Sequence, residues 1–270
     1  MTVYGAQSRL SFTSFGVDVC LESNDSELLD RFRLSLRVIF KDNLQIKPEG
    51  SSDHLIELLS ETTPDRFSYS FQGEKHRFVG SEGELFHLLR TLVRVTVASN
   101  SPDYLFIHSG AVSWKGKGLI LPAQSYAGKT SLVTQLCRLG AQYYSDEYAV
   151  IGRDGLLHPF PKALSIRGER GRQDRRDVEI DELDGTTGVS AVAVSLILFT
   201  RFEDGFDEWN PVALSTGDAL LGLIPHMIAF PVNPEFCLKQ GARLIEGARG
   251  FEAVRGEVTL FAPKVLELLD

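Results

Sequence analysis

The chain has 270 residues, 43% of them hydrophobic, which is typical of a globular protein with one large or two modest domains. Its 36 acidic and 28 basic residues give a net charge of −8, which disfavours a general attraction to nucleic acid or to an anionic membrane. Three widely separated cysteines and the lack of a signal-peptide pattern or a long apolar run favour a cytoplasmic protein without a zinc site.

Residues 1–100 predict a small α+β domain in which no residue indicates a chemical function. Alternating apolar and polar residues indicate short strands, and Gln72-Gly73 suits the turn of a hairpin. Ser81 and Glu84 have the spacing of a capping box that opens a helix, which we expect to end near 99–102. The strands are expected at 9–15, 16–23, 54–61 and 66–80. A further helix is expected over 25–36, before the helix that Ser81 opens.

Residues 101–270 predict a second, α/β domain in which buried strands alternate with amphipathic helices. The charged segment 167–177 is expected to be a mobile, solvated loop. Strands are expected at 103–114, 118–122 and 191–199, and the segment 141–151 is expected to supply a strand that runs into two acids. Helices are expected at 129–139, 217–229, 234–247 and 263–269.

The segment LPAQSYAGKTSL, residues 121–132, resembles a phosphate-binding loop between a buried strand and a helix. Unpaired N–H groups at the start of a helix attract phosphate oxygens. Lys129 would reach the β and γ phosphates of a nucleotide, and the hydroxyl of Thr130 would bind Mg²⁺. An ordinary strand-to-helix turn with a solvated lysine is the alternative. The predicted nucleotide-binding residues are Ser125, Tyr126, Ala127, Gly128, Lys129, Thr130 and Ser131.

Two glycines that are common in such loops are replaced here. Ala123 stands where the strict pattern G-x-x-x-x-G-K-[ST] requires glycine, and Tyr126 replaces a second one. Alanine is acceptable if its φ angle is negative, whereas a bulky side chain at positive φ would cost about 1–2 kcal/mol. We therefore expect either a remodelled loop or a Tyr126 side chain that points outward.

Two consecutive acids follow the next predicted strand. In the segment YYSDEY, Asp146 and Glu147 follow a strand that is expected to pack beside the one that leads into the loop. There one acid could bind Mg²⁺ and the other could take a proton from an attacking hydroxyl. The alternative is that the pair only caps a turn.

Three segments, residues 107–132, 139–151 and 155–168, together resemble the catalytic domain of HPr kinase/phosphorylase. They resemble more closely the shorter HPr-kinase-like proteins of peptide-modification gene clusters. The resemblance covers residues 104–170 well, the rest of the C-terminal half weakly, and residues 1–100 not at all. It implies a P-loop kinase domain of the HPr kinase/phosphoenolpyruvate carboxykinase type, with a mixed sheet and helices. It also implies phosphorylation of a serine hydroxyl, with ATP and Mg²⁺ as cofactors.

The resemblance assigns roles to individual residues. Asp146 matches the general base, Glu147 matches a second, metal-binding acid together with Thr130, and His108 matches a histidine borne on a strand. A metal-associated glutamate of HPr kinase/phosphorylase aligns with Ser165, which makes the reverse, phosphorylase reaction doubtful. For His108 an ordinary strand-end histidine is the alternative.

Lys162 and Arg167 are possible contacts to phosphate or substrate, because cations in an extended segment can neutralise charge on a transferred phosphoryl group. Surface charges on an edge strand are the alternative. Four other histidines, which share no ligand spacing, are expected to be surface or core residues: His54, His76, His87 and His226.

The sequence thus favours an ATP-dependent kinase that acts on a hydroxyl of a peptide or small protein, with catalytic residues Asp146, His108 and Lys129. Two alternatives remain open: a nucleotide-binding or sensor module with little or no turnover, and a small-metabolite kinase. The sequence identifies neither the acceptor nor the oligomeric state.

Overall fold

The computed structural model describes residues 8–48, 52–123, 127–167 and 175–270. They form two compact units, one ending at Asp103 and the other beginning at Tyr104. Both units combine a sheet with helices, so the chain belongs to the mixed α/β class. Within the described segments, none of the helices has the length and apolar character that crossing a membrane requires.

In the described part of the first unit, six strands form one sheet in the order β3-β1-β2-β4-β5-β6. Strands β2 and β4 are parallel, and the other neighbours are antiparallel. The strands are β1 (Ser8–Ser14), β2 (Val17–Ser23), β3 (Gln45–Lys47), β4 (His54–Ser60), β5 (Arg66–Phe71) and β6 (Glu74–Val79), and the helices are α1 (Ser26–Phe40) and α2 (Glu82–Asn100).

Local sequence signals explain the ends of these elements. The side chain of Ser81 accepts a hydrogen bond from the N–H of Glu84, whose carboxylate accepts one from the N–H of Ser81, which confirms the predicted capping box. The β5–β6 hairpin turns at Gln72 and Gly73, both with positive φ, as predicted.

The second unit contains a mixed sheet with nine strands among its described residues. Strand β7 is antiparallel to β8, β9 and β10, whereas β15 pairs in parallel with β8 on one side and β17 on the other. The strands are β7 (Tyr104–Trp114), β8 (Lys117–Pro122), β9 (Gln142–Ser145), β10 (Tyr148–Gly152), β11 (Leu156–His158), β14 (Thr186–Thr187), β15 (Val192–Phe202), β16 (Val212–Ala213) and β17 (Arg249–Arg255); β12 (Leu164–Arg167) and β13 (Arg175–Val178) pair separately.

Helices cover both faces of this sheet. They are α3 (Lys129–Arg138), α4 (Thr216–Leu223), α5 (Pro234–Glu246) and α6 (Val258–Leu269). Leu119 and Leu121 of β8 pack in one core with α3 and α6, whereas Ile120 between them packs in the other with α4 and α5. The alternation of side chains along β8 therefore buries both faces, as the continuous apolar run of this strand predicts.

Three sequence-based predictions about this unit were wrong, the first of them at the ends of the predicted loop. The predicted loop 167–177 contains strand β13, which pairs with β12 and so satisfies its backbone hydrogen bonds; residues 168–174 lie outside the described part. The helix predicted over 217–229 ends at Leu223 and passes into a short 3-10 turn, Ile224–His226, in which Pro225 lacks an N–H donor. Helix α6 begins at Val258, so Pro263 lies inside it and not at its start.

Candidate functional site

The predicted phosphate-binding loop joins β8 to α3. Gly128 precedes the helix with φ 76°, a left-handed conformation that glycine adopts without strain. A Cβ atom at Gly128 would lie 2.5 Å from Nη2 of Arg255. Ala127, Gly128, Lys129, Thr130 and Ser131 are described, and the Ser131 side chain is exposed; the predicted contacts Ser125 and Tyr126 lie outside the described residues.

The centre of β7 lies between this loop and the acidic pair. On one side Ser109 is opposite Pro122, the last residue of β8 before the loop. On the other side His108 is opposite Tyr148, and the N–H of Ser109 donates to the carbonyl of Glu147 at 3.1 Å. The sheet therefore brings the loop and the acids together across a single strand.

Lys129, the first residue of α3, is a buried cation with 9% of its surface exposed. Its Nζ donates to the carbonyl of Ala123 at 2.6 Å and lies 3.3 Å from Nε2 of His108. Burial lowers the pKa of Lys129 to about 8, and the carboxylates of Glu147 and Asp146 oppose this shift. The ammonium form therefore predominates at neutral pH.

His108 is a neutral partner of this lysine. Burial and then the charge of Lys129 lower the pKa of His108 to about 4. A neutral imidazole with its proton on Nδ1 can accept a hydrogen bond from the Lys129 ammonium at Nε2. Strand β7 thus holds an uncharged ring next to the cation of the loop.

Asp146 lies at the centre of a buried hydrogen-bond network. The hydroxyl of Thr130 donates to Oδ2 at 2.9 Å, and Nζ of Lys162 forms an ion pair with Oδ1 at 2.9 Å. The Tyr143 hydroxyl lies 3.1 Å from Oδ1 and 2.9 Å from the carbonyl of Lys162, so its one proton has two acceptors. Burial raises the pKa of Tyr143 well above its usual value, which keeps the phenol protonated. Both oxygens of Asp146 therefore have protein partners.

Glu147 is held more loosely than Asp146. Its side chain is 27% exposed, against 4% for Asp146, and its Oε2 lies 3.8 Å from Nζ of Lys162. The buried Ser145 hydroxyl accepts the N–H groups of Glu147 and Tyr148, each at 3.1 Å. These bonds fix the bend between β9 and β10 at which the two acids emerge.

The oxygen atoms of Thr130, Asp146 and Glu147 fit a hard cation such as Mg²⁺. The described residues contain no group of three or more His, Cys, Asp or Glu side chains that could hold a metal by themselves. Magnesium commonly binds through one or two carboxylates together with the phosphates of its substrate, and this donor set is of that kind.

Of the two further predicted cations, Lys162 lies beside the acidic pair. Lys162 is 7% exposed and contacts Asp146, as described above. Arg167 is the last residue of β12, where its backbone pairs with Arg175. Lys162 thus neutralises the acids directly.

Sequence reasoning missed Arg255, at the end of β17. This arginine is 1% exposed, and its Nη2 donates to the carbonyls of Ala127 and Gly128 at 3.0 and 3.1 Å. It holds the end of the loop with these two carbonyls turned toward the guanidinium. No local motif marks it, because the contact spans more than a hundred residues of sequence.

His226, expected from the sequence to be an ordinary surface or core residue, is half-buried and lies close to the site. Its neighbour Met227 forms an antiparallel bridge with Ile107, and the N–H of Ile228 donates to the carbonyl of Phe106 at 3.0 Å. This segment places His226 next to His108, a relationship that no spacing in the sequence indicates.

A scan against protein-family models finds no match for this chain, and a search of curated proteins finds none either. The resemblance to HPr-kinase-like proteins therefore remains a prediction.

Proposed function

We propose that the protein is an ATP-dependent kinase that transfers the γ-phosphoryl group to a hydroxyl, expected to be that of a serine, in a peptide or small protein. The observation that supports this function best is the meeting of Lys129 and Thr130, at the start of α3, with Asp146 and Glu147 across the centre of β7. A cation, a hydroxyl and two carboxylates in this arrangement suit phosphoryl transfer.

Phosphate binding would use the start of α3. The N–H groups of its first turn and the ammonium of Lys129 would offer hydrogen bonds and positive charge to the β and γ phosphates. Lys129 is already held by Ala123 and His108, so little side-chain entropy remains to be lost when the nucleotide binds. The bonds from Arg255 to the carbonyls of Ala127 and Gly128 would hold the end of the loop in its present conformation when phosphate binds.

Thr130 and Asp146 are the residues that would hold Mg²⁺. When bound, this ion neutralises charge on the β and γ phosphates. The hydrogen bond from Thr130 to Asp146 orients both oxygens in advance. We propose that ATP and Mg²⁺ act together in this reaction. The proposal includes a fold of the HPr kinase/phosphoenolpyruvate carboxykinase type and a cytoplasmic location.

The contacts of the two acids favour a division of labour that reverses the sequence-based one. Asp146 can accept a proton at Oδ1 only if Lys162 or Tyr143 moves away, and its Oδ2 is bonded to Thr130. Among the described residues Glu147 has one polar side-chain contact, the long one to Lys162. We therefore assign the acceptance of the proton from the acceptor hydroxyl to Glu147, and the metal side to Asp146 with Thr130.

The ion pair between Lys162 and Asp146 favours a second candidate, a nucleotide-binding module without turnover. The ammonium lies against the carboxylate of Asp146, on which the binding of Mg²⁺ would depend. If Lys162 remains there when ATP binds, the site would hold the nucleotide without activating an acceptor.

The test is phosphoryl transfer from γ-labelled ATP, with Mg²⁺, to serine-containing peptides, including any small peptide encoded beside this gene. Transfer that disappears in Lys129→Met but persists in Lys239→Met supports the kinase. Lys239 is a matched control because it is an exposed lysine on α5 of the same unit. Tight ATP binding without transfer to any acceptor would favour the binding module.

A further inference from the structure

The strand pairing of β7 leaves a gap where the phosphate-binding loop departs. On this side of β7, Pro122 of β8 is opposite Ser109, and Met227 is opposite Ile107. Both pairings are antiparallel, so the loop leaves the sheet between them. The backbone position next to Met227 in this register, opposite His108, is that of His226.

The electrostatic coupling of the side chains agrees with this register. Burial and then the charge of Lys129 lower the pKa of His226. His226 in turn is among the groups that lower the pKa of His108. The ring of His226 is therefore close to both Lys129 and His108, on the loop side of β7, while Asp146 and Glu147 lie on its other side.

Within the described part of the chain, no hydrogen bond or ion pair engages the half-buried ring of His226. The backbone around it is constrained, because it ends a 3-10 turn that contains Pro225 and is followed by the pairing of Met227 and Ile228 with β7. A side chain held in this way, next to a cationic lysine, can offer a ring N–H to an anion.

We propose that His226 contacts the γ-phosphoryl group of the bound nucleotide, beside His108 and Lys129, and so distinguishes ATP from ADP. This inference rests on the proposed function, since it concerns the same site. A phosphate held by Lys129 would lie near the ring of His226 on the loop side of β7 and the ring of His108 on β7, with the acids on the other side of this strand. The γ-phosphate is the group that a triphosphate has and a diphosphate lacks.

The chemistry suits a group that must bind and then leave. Neutral rings offer N–H donors to phosphate oxygens without adding further full charges, so they contribute orientation more than long-range attraction. Loss of one hydrogen bond to a charged group typically reduces affinity by about tenfold. His226 should therefore affect the affinity for the triphosphate selectively.

Calorimetry with Mg²⁺ and either a non-hydrolysable ATP analogue or ADP tests this inference. His226→Gln should bind the analogue about tenfold more weakly than the wild type does, and should bind ADP with an affinity within about twofold of the wild type. His158→Gln is the matched control, because His158 lies on β11 of the same sheet and contacts Asp154. It should leave both affinities unchanged.

Equal losses for both nucleotides, or no loss for either, in a folded His226→Gln protein would overturn the role of His226 while leaving the kinase proposal intact. If the wild type binds neither nucleotide, both proposals fail. A second measurement uses only the wild type and so does not depend on the folding of a variant. In NMR spectra, the ring ¹⁵N signals of His226 should shift when the ATP analogue is added and much less when ADP is added. Similar shifts with both ligands would contradict the inference.

Discussion

Lys162 and Asp146 form a buried ion pair, with Nζ 2.9 Å from Oδ1 and side-chain exposures of 7% and 4%. Asp146 also accepts a hydrogen bond from Thr130, and Nζ of Lys162 lies 3.8 Å from Oε2 of Glu147. The ammonium therefore lies where the proposed reaction needs a cation. The ammonium thus neutralises the acids, and a bound divalent ion would have to compete with it or share them.

Lys162→Met should destabilise the protein and strengthen its response to Mg²⁺. Removing one partner of a buried ion pair typically costs about 3–5 kcal/mol, because the other charge is left unpaired. Mg²⁺ could then compensate the charge of Asp146. We expect the free energy of unfolding in urea to fall without Mg²⁺ and to recover partly with it.

The control for this comparison is Lys239→Met, whose lysine is exposed on α5. Its stability should match that of the wild type with and without Mg²⁺. A Lys162→Met protein that Mg²⁺ stabilises no more than the wild type would show that the ammonium does not occupy a cation site.

Gly128→Ala should weaken nucleotide binding more than a comparable substitution elsewhere. Gly128 and Gly205 have φ of 76° and 72°, so alanine at either position costs about 1 kcal/mol of backbone strain. A Cβ at Gly128 would also meet Arg255 at 2.5 Å, whereas nothing lies within 4 Å of a Cβ at Gly205.

We therefore expect both variants to lose stability, and only Gly128→Ala to lose ATP affinity in calorimetry, by about tenfold or more if one loop hydrogen bond is lost. Unchanged ATP affinity in Gly128→Ala would mean that the contact between Arg255 and the loop does not support the nucleotide site.

Much of the site could be predicted because its parts are local in sequence. The strand before the loop, the helix after it and the acids after the next strand each have their own pattern of residues. The contacts that tune the site are not local: Arg255 meets Gly128, and His226 lies beside His108, only because distant strands are neighbours in the folded sheet.

Lys162 illustrates a different limit. Its charge made it a candidate for phosphate binding, yet the carbonyl of Lys162 lies against the Tyr143 hydroxyl and its ammonium against Asp146. Sequence alone does not show which of several nearby charges pair, since this depends on distances of a few ångströms. The same applies to strand β13, whose charged residues 175–177 suggested a solvated loop and not a paired strand.

The buried His108 should make stability depend on pH. The pKa of His108 is about 4 in the folded protein, below the value of about 6.5 expected when the chain is unfolded. The unfolded state therefore takes up the proton first, and this contribution to stability is present above about pH 6.5 and is lost as the pH falls toward about 4.

Urea unfolding at about pH 7 and about pH 5 tests this dependence. Between these pH values the wild type should lose about 1–2 kcal/mol more than His108→Gln, allowing for the partial exposure of the ring. Equal losses in the two proteins would show that His108 titrates near its usual pKa and is not the neutral partner of Lys129.

The two acids should respond differently to neutral substitutions. Glu147→Gln should reduce the rate of ADP formation by about a hundredfold or more, because it removes the proposed proton acceptor, while the affinity for Mg²⁺ and ATP stays close to that of the wild type. Asp146→Asn should weaken Mg²⁺-dependent ATP binding, since it disturbs the contacts with Thr130 and Lys162.

Steady-state rates and calorimetry on both variants separate these effects. The opposite pattern, in which Asp146→Asn loses turnover and keeps nucleotide affinity, would return the role of base to Asp146, as the sequence first suggested.

Calorimetric titration of the full chain with ATP in the presence of Mg²⁺ tests the central claim most directly, that Lys129 and its loop form a nucleotide-phosphate site. The wild type and Lys239→Met should bind ATP with equal affinity, and Lys129→Met should lose at least about tenfold, because it removes a charge-assisted bond to phosphate. Absence of ATP binding by the wild type at about millimolar nucleotide, or equal affinity in Lys129→Met, would contradict the account.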